Sequence, residues 1–159
     1  ADAQPTMEAL AAIAEADIIV MGPGSLYTSI IPNLIIKGVP QAIARSPAYK
    51  IYVCNVMTQR GETDGFSAAD HVRVLTEHSD LKALDACIIN DAPVPQEALK
   101  RYRDDHSYPV AADTQRIKDM GYKVVATDLL SVNDYVRHDS KKLTQALIQL
   151  IESQRVIKR

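Results

Sequence analysis

The sequence predicts an α/β domain with a mostly parallel sheet covered by helices on both faces, and three observations carry that reading. Short β-branched apolar runs alternate along the chain with segments of helical periodicity. Within each run the apolar residues are continuous rather than alternating, the signature of strands buried on both faces. Glycine, proline or an Asn/Asp residue closes most runs, so each ends abruptly. Alternation of this kind builds β-α-β units with right-handed crossovers.

In order, "PTMEALAAIAEA" (5–16) has helical spacing and leads into "DIIVMG" (17–22), a strand ended by glycine. "PQAIARS" (40–46) is a short helix before the strand "KIYVCNV" (50–56). "SAADHVRVLTEHS" (67–79) opens with Ser67 as cap and Asp70 three residues on, a capping-box spacing. "ACIIN" (86–90) is a strand, and "VPQEALKRYRDD" (94–105) and "TQRIKDMG" (114–121) are helices. "YKVVATDLL" (122–130) is the last strand, and "DSKKLTQALIQLIES" (139–153) a closing helix capped by Asp139 or Ser140. The whole chain reads as one α/β domain. A doubly wound domain ordinarily opens on a strand, so a first strand behind a helix predicts the C-terminal portion of a larger domain.

Composition narrows the function classes. With 47% hydrophobic and 24% charged residues in 159, the chain has the balance of a soluble globular domain able to bury a core. A formal net charge of −2 gives no pull toward nucleic acid or an anionic membrane. No apolar run is long enough to span a bilayer, and "ADAQPTMEAL" lacks the features of a secretory leader. Cys54 and Cys87 each sit in an apolar strand run, so buried reduced thiols and a cytoplasmic location are expected. CxxC, HxH and HExxH are absent, which removes the usual support for a transition-metal site.

In an open parallel sheet, ligands bind beyond the carboxyl ends of the strands. After the first strand comes "GPGSLYTS" (22–29), where Gly22 and Gly24 allow close backbone approach and Ser25, Thr28 and Ser29 add hydroxyls at a helix start. The loop is neither a Walker A motif, for want of lysine, nor a dinucleotide fingerprint, because Tyr27 stands where a third glycine belongs. Read without a ligand, it is a tight strand-to-helix turn. After the second strand, Asn55, Thr58, Gln59, Arg60, Glu62, Thr63 and Asp64 follow almost without a break. They make either a polar surface loop or one wall of a ligand cradle. Glu62 and Asp64 alone are a weak catalytic pair, and Glu62 is equally well a solvated loop residue. Asp91 and Asp128, at the third and fourth strand ends, are either helix caps or ligands for Mg²⁺ on a phosphorylated ligand. Arg137 suits a bidentate phosphate contact, and His138 can donate or stack. Tyr102 is a platform for a base or sugar ring unless its helix face is merely solvated. Lys141 and Lys142 are expected in solvent.

The stretches "ADIIVMGPGSLYTSIIPNLI", "YVCNVMTQRGETDGFSAADHV" and "VRHDSKKL" closely resemble the YvcK-like gluconeogenesis factors of the CofD-like family, which includes 2-phospho-L-lactate transferase. The resemblance covers nearly the whole chain. The transferase branch typically reads more like GPSNP at the first loop, so Ser25-Leu26-Tyr27 places this sequence on the YvcK-like side. The resemblance implies a Rossmann-like three-layer α-β-α fold and binding of UDP-sugars such as UDP-N-acetylglucosamine. It also implies a role in bacterial carbon metabolism, cell-wall synthesis and cell shape, with no established reaction. It puts Gly22, Gly24, Ser25, Leu26, Tyr27, Thr28, Asn55, Thr58 and Asp64 on the ligand edge, with Tyr102 and Arg137 at sugar-nucleotide contacts. Full members are roughly twice as long and begin with a Gly-rich strand-loop-helix not present here.

Three readings follow. The chain is a nucleotide-sugar-binding regulatory protein, or a transferase of phosphorus-containing groups using Mg²⁺, or an assembly module working through protein contacts. The residues favour the first, because no base is recognisable beside a nucleophile. Homo-oligomerisation stays open.

Overall fold

The computed structural model describes residues 3–79, 84–103, 105–132 and 135–157. Four apolar runs form β1 (Ile18–Met21), β2 (Tyr49–Val53), β3 (Ala86–Asn90) and β4 (Lys123–Thr127). They pair in parallel in chain order, with Val20 opposite Ile51, Ile51 opposite Ala86, and Ile88 opposite Val125. Right-handed crossovers between successive neighbours advance in one direction and so place their helices on a single face.

The helices are α1 (Met7–Glu15), α2 (Ile31–Leu34), α3 (Val39–Arg45), α4 (Ala68–Ser79), α5 (Gln96–Arg103), α6 (Thr114–Asp119) and α7 (Ser140–Ile157). A π-helical turn, Leu26–Ile30, runs directly into α2. Local chemistry sets several of their starts. Thr6 Oγ1 accepts from Ala9 N at 3.2 Å and caps α1. At α4, Ser67 N donates to Asp70 Oδ2 at 3.0 Å and Asp70 N to Ser67 Oγ at 3.3 Å, the reciprocal box the spacing predicts. Asp139 Oδ1 accepts from the backbone of Lys141 and Lys142, which makes Asp139 the cap of α7. The helix expected over 94–105 is described as far as Arg103; Asp104 lies outside the described residues.

Alternation along each strand sorts the core into two layers. On one face Met21, Tyr52, Cys54, Cys87 and Ile89 pack against Leu26, Ile30, Leu34, Ile43, Val72, Leu75 and Ile117 from the π-turn, α2, α3, α4 and α6. On the other, Ile51, Val53, Ala86 and Ile88 lie under Ala146 and Leu150 of α7. Burying each large side chain stabilises the fold by about 1.5–3 kcal/mol, so both layers are needed to hold so short a sheet. Both cysteines are free and buried, and burial pushes the Cys54 thiol up to about 12 and raises Cys87 as well. Among the described residues no helix is long and apolar enough to cross a membrane.

One expected element divides in two. The run 122–130 is not a single strand: β4 stops at Thr127, and Asp128 Oδ1 accepts from Leu130 N at 2.9 Å, turning the chain. The remainder becomes β5 (Leu130–Val132), paired antiparallel with β6 (Val136–His138). This hairpin and α5 close a third small core of Val56, Leu130 and Val136 with Met57, Val94, Ala98 and Tyr102.

Gly22 gives the fold a direct test. It sits at φ +86°, and a Cβ there would meet the Val53 carbonyl oxygen at 2.7 Å, whereas Gly61, at φ +77°, has open space around it. Gly61→Ala is expected to cost only the left-handed backbone term, about 1 kcal/mol. Gly22→Ala adds a clash with rigid backbone and is expected to cost roughly 2 kcal/mol or more beyond that. Urea unfolding midpoints of the two variants check the difference.

Candidate functional site

Because β1–β4 are parallel, their carboxyl ends share one edge, and the segments leaving them are laced together there. The glycine turn after β1 lies against the loop after β2. Gly24 N donates to Asn55 Oδ1 at 3.2 Å, and Ser25 Oγ donates to Glu62 Oε2 at 2.6 Å. Ser25 also starts the π-turn, its oxygen accepting from Thr28 N at 3.3 Å and Thr28 Oγ1 at 2.6 Å. From the third strand, Asn90 Oδ1 accepts from Leu129 N at 3.0 Å and so holds the end of β4 beside β3. His138 Nε2 reaches the Cys54 carbonyl at 3.1 Å, tying β6 to the end of β2.

Beside this seam is a cavity of about 440 Å³ lined by Thr58, Gln59, Arg60, Glu62, Tyr102, Asp105 and Ser107. Its far wall is held by an antiparallel contact of Met57 with Pro109. Thr58 N donates to Tyr108 O at 2.7 Å, Tyr108 N donates to Thr58 Oγ1 at 2.9 Å, and Ser107 Oγ donates to Thr58 O. Gln59 Oε1 is buried at this wall with no donor among the described residues. The lining offers a guanidinium, two carboxylates, hydroxyls and an aromatic ring, a set suited to a polar ligand with a planar part.

The residues singled out from sequence take different places in this edge. The Gly22–Thr28 turn, Asn55 and Glu62 come together directly. Leu26 is fully buried in the core and is not open to a ligand. Tyr27 packs edge-on against His78 in the last turn of α4, with ring centroids 6.0 Å apart. Thr58 is buried and spent on the 107–109 segment rather than open. Asp64 Oδ2 accepts from Gly61 N at 2.6 Å and closes its own turn. Tyr102 lines the cavity with its ring and bonds Val136 with its hydroxyl. Arg137 is exposed, its guanidinium over the Tyr135 ring at 5.2 Å.

Two expectations are corrected here. Lys142 is not simply solvated: its Nζ meets Asp128 Oδ2 at 2.7 Å and the Leu130 carbonyl at 2.9 Å. That ammonium holds the Asp128 carboxyl below its usual range, with the Leu130 amide adding to the effect. Asp128 is therefore occupied, and among the described residues no three His, Cys, Asp or Glu side chains gather to hold a metal ion. Glu62 is the second correction, since the Ser25 hydroxyl takes it out of the solvated loop. Sequence spacing gives no sign of that bond, which spans 37 residues. Gln59 and Arg60 belong to the polar run after Asn55 and line the cavity, whereas Asp105 and Ser107 lie outside the expected site.

The comparisons with known proteins fit this architecture. The family model of 2-phospho-L-lactate transferase CofD matches residues 1–130. A protein of Thermoanaerobacterium thermosulfurigenes is 50% identical over 152 residues, which is 95% of this chain and 47% of the relative. The Bacillus subtilis protein named gluconeogenesis factor is 40% identical over 149 residues, 93% of this chain and 47% of its own length. A crystal structure of a UPF0052 family member from Bacillus halodurans superposes with a TM-score of 0.89 at 38% identity, covering 92% of this chain and 47% of the other. The chain thus spans about half the length of the relatives it matches.

One buried histidine, His71, and one half-buried, His138, contribute to the acid response. His138 donates from Nε2 to a carbonyl and His71 from Nδ1 to the Ser67 carbonyl, and burial lowers the pKa of both. In the unfolded chain a histidine takes a proton near pH 6.5, about where the model peptides do. Stability is therefore full above that value and falls as pH drops through it toward the folded pKa values. Urea midpoints should decline from pH 7.5 to 5.5, and the decline should shrink in a His138→Gln variant.

Proposed function

This chain belongs to the CofD family, and we propose that it forms one wall of a binding site for a nucleotide sugar such as UDP-N-acetylglucosamine in a regulatory protein of carbon metabolism. The observation that carries the reading is the juxtaposition of the glycine turn and the polar 440 Å³ cavity on the same strand-end edge, the turn tied to the cavity wall by the Ser25–Glu62 bond. A turn of this kind suits a phosphate, and a cavity with an aromatic wall suits a base or a sugar. Arg137 on β6 is exposed, and its guanidinium has the chemistry for a bidentate phosphate contact. The relatives named gluconeogenesis factor supply the metabolic setting, and the family resemblance extends it to cell-wall synthesis and cell shape. The cytoplasm is the compartment this reading implies.

A second reading, a transferase of phosphorus-containing groups, is favoured by one observation. Ser25 Oγ beside the Glu62 carboxylate at 2.6 Å is a hydroxyl next to a base. The rest of the serine's bonding weighs against a nucleophile. Its proton goes to Glu62 and both lone pairs accept from Thr28, which leaves no electron pair aimed at an electrophile. The binding reading therefore takes precedence.

Calorimetric titration of the full-length polypeptide with UDP-N-acetylglucosamine, with phosphorus NMR of the ligand, separates the two. The expected result is saturable binding that weakens about tenfold or more in Arg137→Ala, with the ligand intact after hours. Consumption of the ligand by the wild type but not by Glu62→Gln would establish the transferase instead. Absence of binding would remove both.

A further inference from the structure

Most polar groups around the 440 Å³ cavity are committed to the fold. Thr58 and Ser107 bond each other's segments, Glu62 accepts from Ser25, and the Tyr102 hydroxyl bonds Val136. Arg60 and Asp105 are exposed, where water serves them. Gln59 fits neither group. It is half-buried, its carboxamide has no hydrogen-bond partner among the described residues, and its Oε1 is sealed from solvent.

The backbone of Gln59, by contrast, is held firmly. Its N donates to Oγ1 of the fully buried Thr63 at 2.9 Å, and its O accepts from Glu62 N at 3.1 Å and Thr63 N at 2.9 Å. Thr58, one residue back, is fastened to Ser107 and Tyr108. The side chain therefore leaves a fixed point and carries an unpaired amide to the cavity wall. A buried oxygen with no donor costs stability, and an apolar side chain of similar size would avoid that cost. Such a departure from satisfied polar atoms is expected where function requires it. Nε2 is the end of the amide that is not sealed, and it offers two donors.

We propose that Gln59 is a specificity-determining residue whose Nε2 donates to a carbonyl oxygen of the ligand part seated in the cavity. The assignment rests on the nucleotide-sugar reading above. Nε2 only donates, so an oxygen that only accepts is its match. In UDP-N-acetylglucosamine such carbonyl oxygens belong to the uracil base and to the acetyl group.

The test titrates the full-length polypeptide, wild type and variants, with UDP-N-acetylglucosamine, UDP and inorganic diphosphate in a calorimeter. Affinity for UDP-N-acetylglucosamine should fall about three- to tenfold in Gln59→Leu, the size expected for one lost hydrogen bond. The urea midpoint of the same variant without ligand should stay level or rise, because no internal bond is lost. A merely structural glutamine would lower it. Gln59→Glu keeps the acceptor and loses the donor, and should bind at least as weakly as Gln59→Leu. An equal loss with UDP assigns the bond to the base, and a loss absent with UDP assigns it to the acetyl group. The same loss with diphosphate would mark a phosphate contact and overturn the proposal. Unchanged affinity in Gln59→Leu, wild-type affinity in Gln59→Glu, or a lowered urea midpoint would overturn it as well. If the wild type binds neither nucleotide, the nucleotide-sugar reading fails and takes this assignment with it; binding indifferent to Gln59 fails the assignment alone.

Discussion

The close approach of Gly22 to the Val53 carbonyl is the constraint on which the functional edge depends. With no Cβ to hold the chains apart, the turn leaving β1 can lie over the end of β2. Only from there do Gly24 and Ser25 reach Asn55 and Glu62. A side chain at position 22 would lift the turn, and the amides, the π-turn cap and the near side of the cavity would move with it. Site geometry here is thus a consequence of strand packing, not an addition to it.

The two core layers give that edge its rigidity unequally. Among the described residues, one face of the sheet is held by helices from all three crossovers and the other by α7. The hairpin and α5 rest on a much smaller core and depend on single polar bonds, from Tyr102, His138 and Lys142, to stay in place. Local stability falls where few apolar contacts remain, so movement on ligand binding is most readily supplied by this part. The turn after β1 is the fixed reference and the hairpin the adjustable one.

The sheet was legible because its signal is long and redundant. Four β-branched runs, each followed by turn residues, leave little choice but a parallel α/β layer, and the Ser67–Asp70 spacing identified its capping box from four residues. The hairpin was not legible. "LSV" continues an apolar run, and three-residue strands carry too few alternations to show a period. The Ser25–Glu62 bond and the pairing of Thr58 with 107–109 join residues 37 and about 50 positions apart, which no local pattern encodes. The helix spacing of Lys142 is that of a solvated surface residue, while its partner comes from the turn after β4. Composition located the edge; only the fold shows which polar groups there are spent on structure.

Chemical-shift mapping of the full-length polypeptide during titration with UDP-N-acetylglucosamine tests the central claim most directly. The account predicts saturable shifts concentrated in residues 22–28, 55–62, 102–107 and 136–138, with the outer surface of α7 unaffected. Shifts confined elsewhere, or none at saturating ligand, would contradict it.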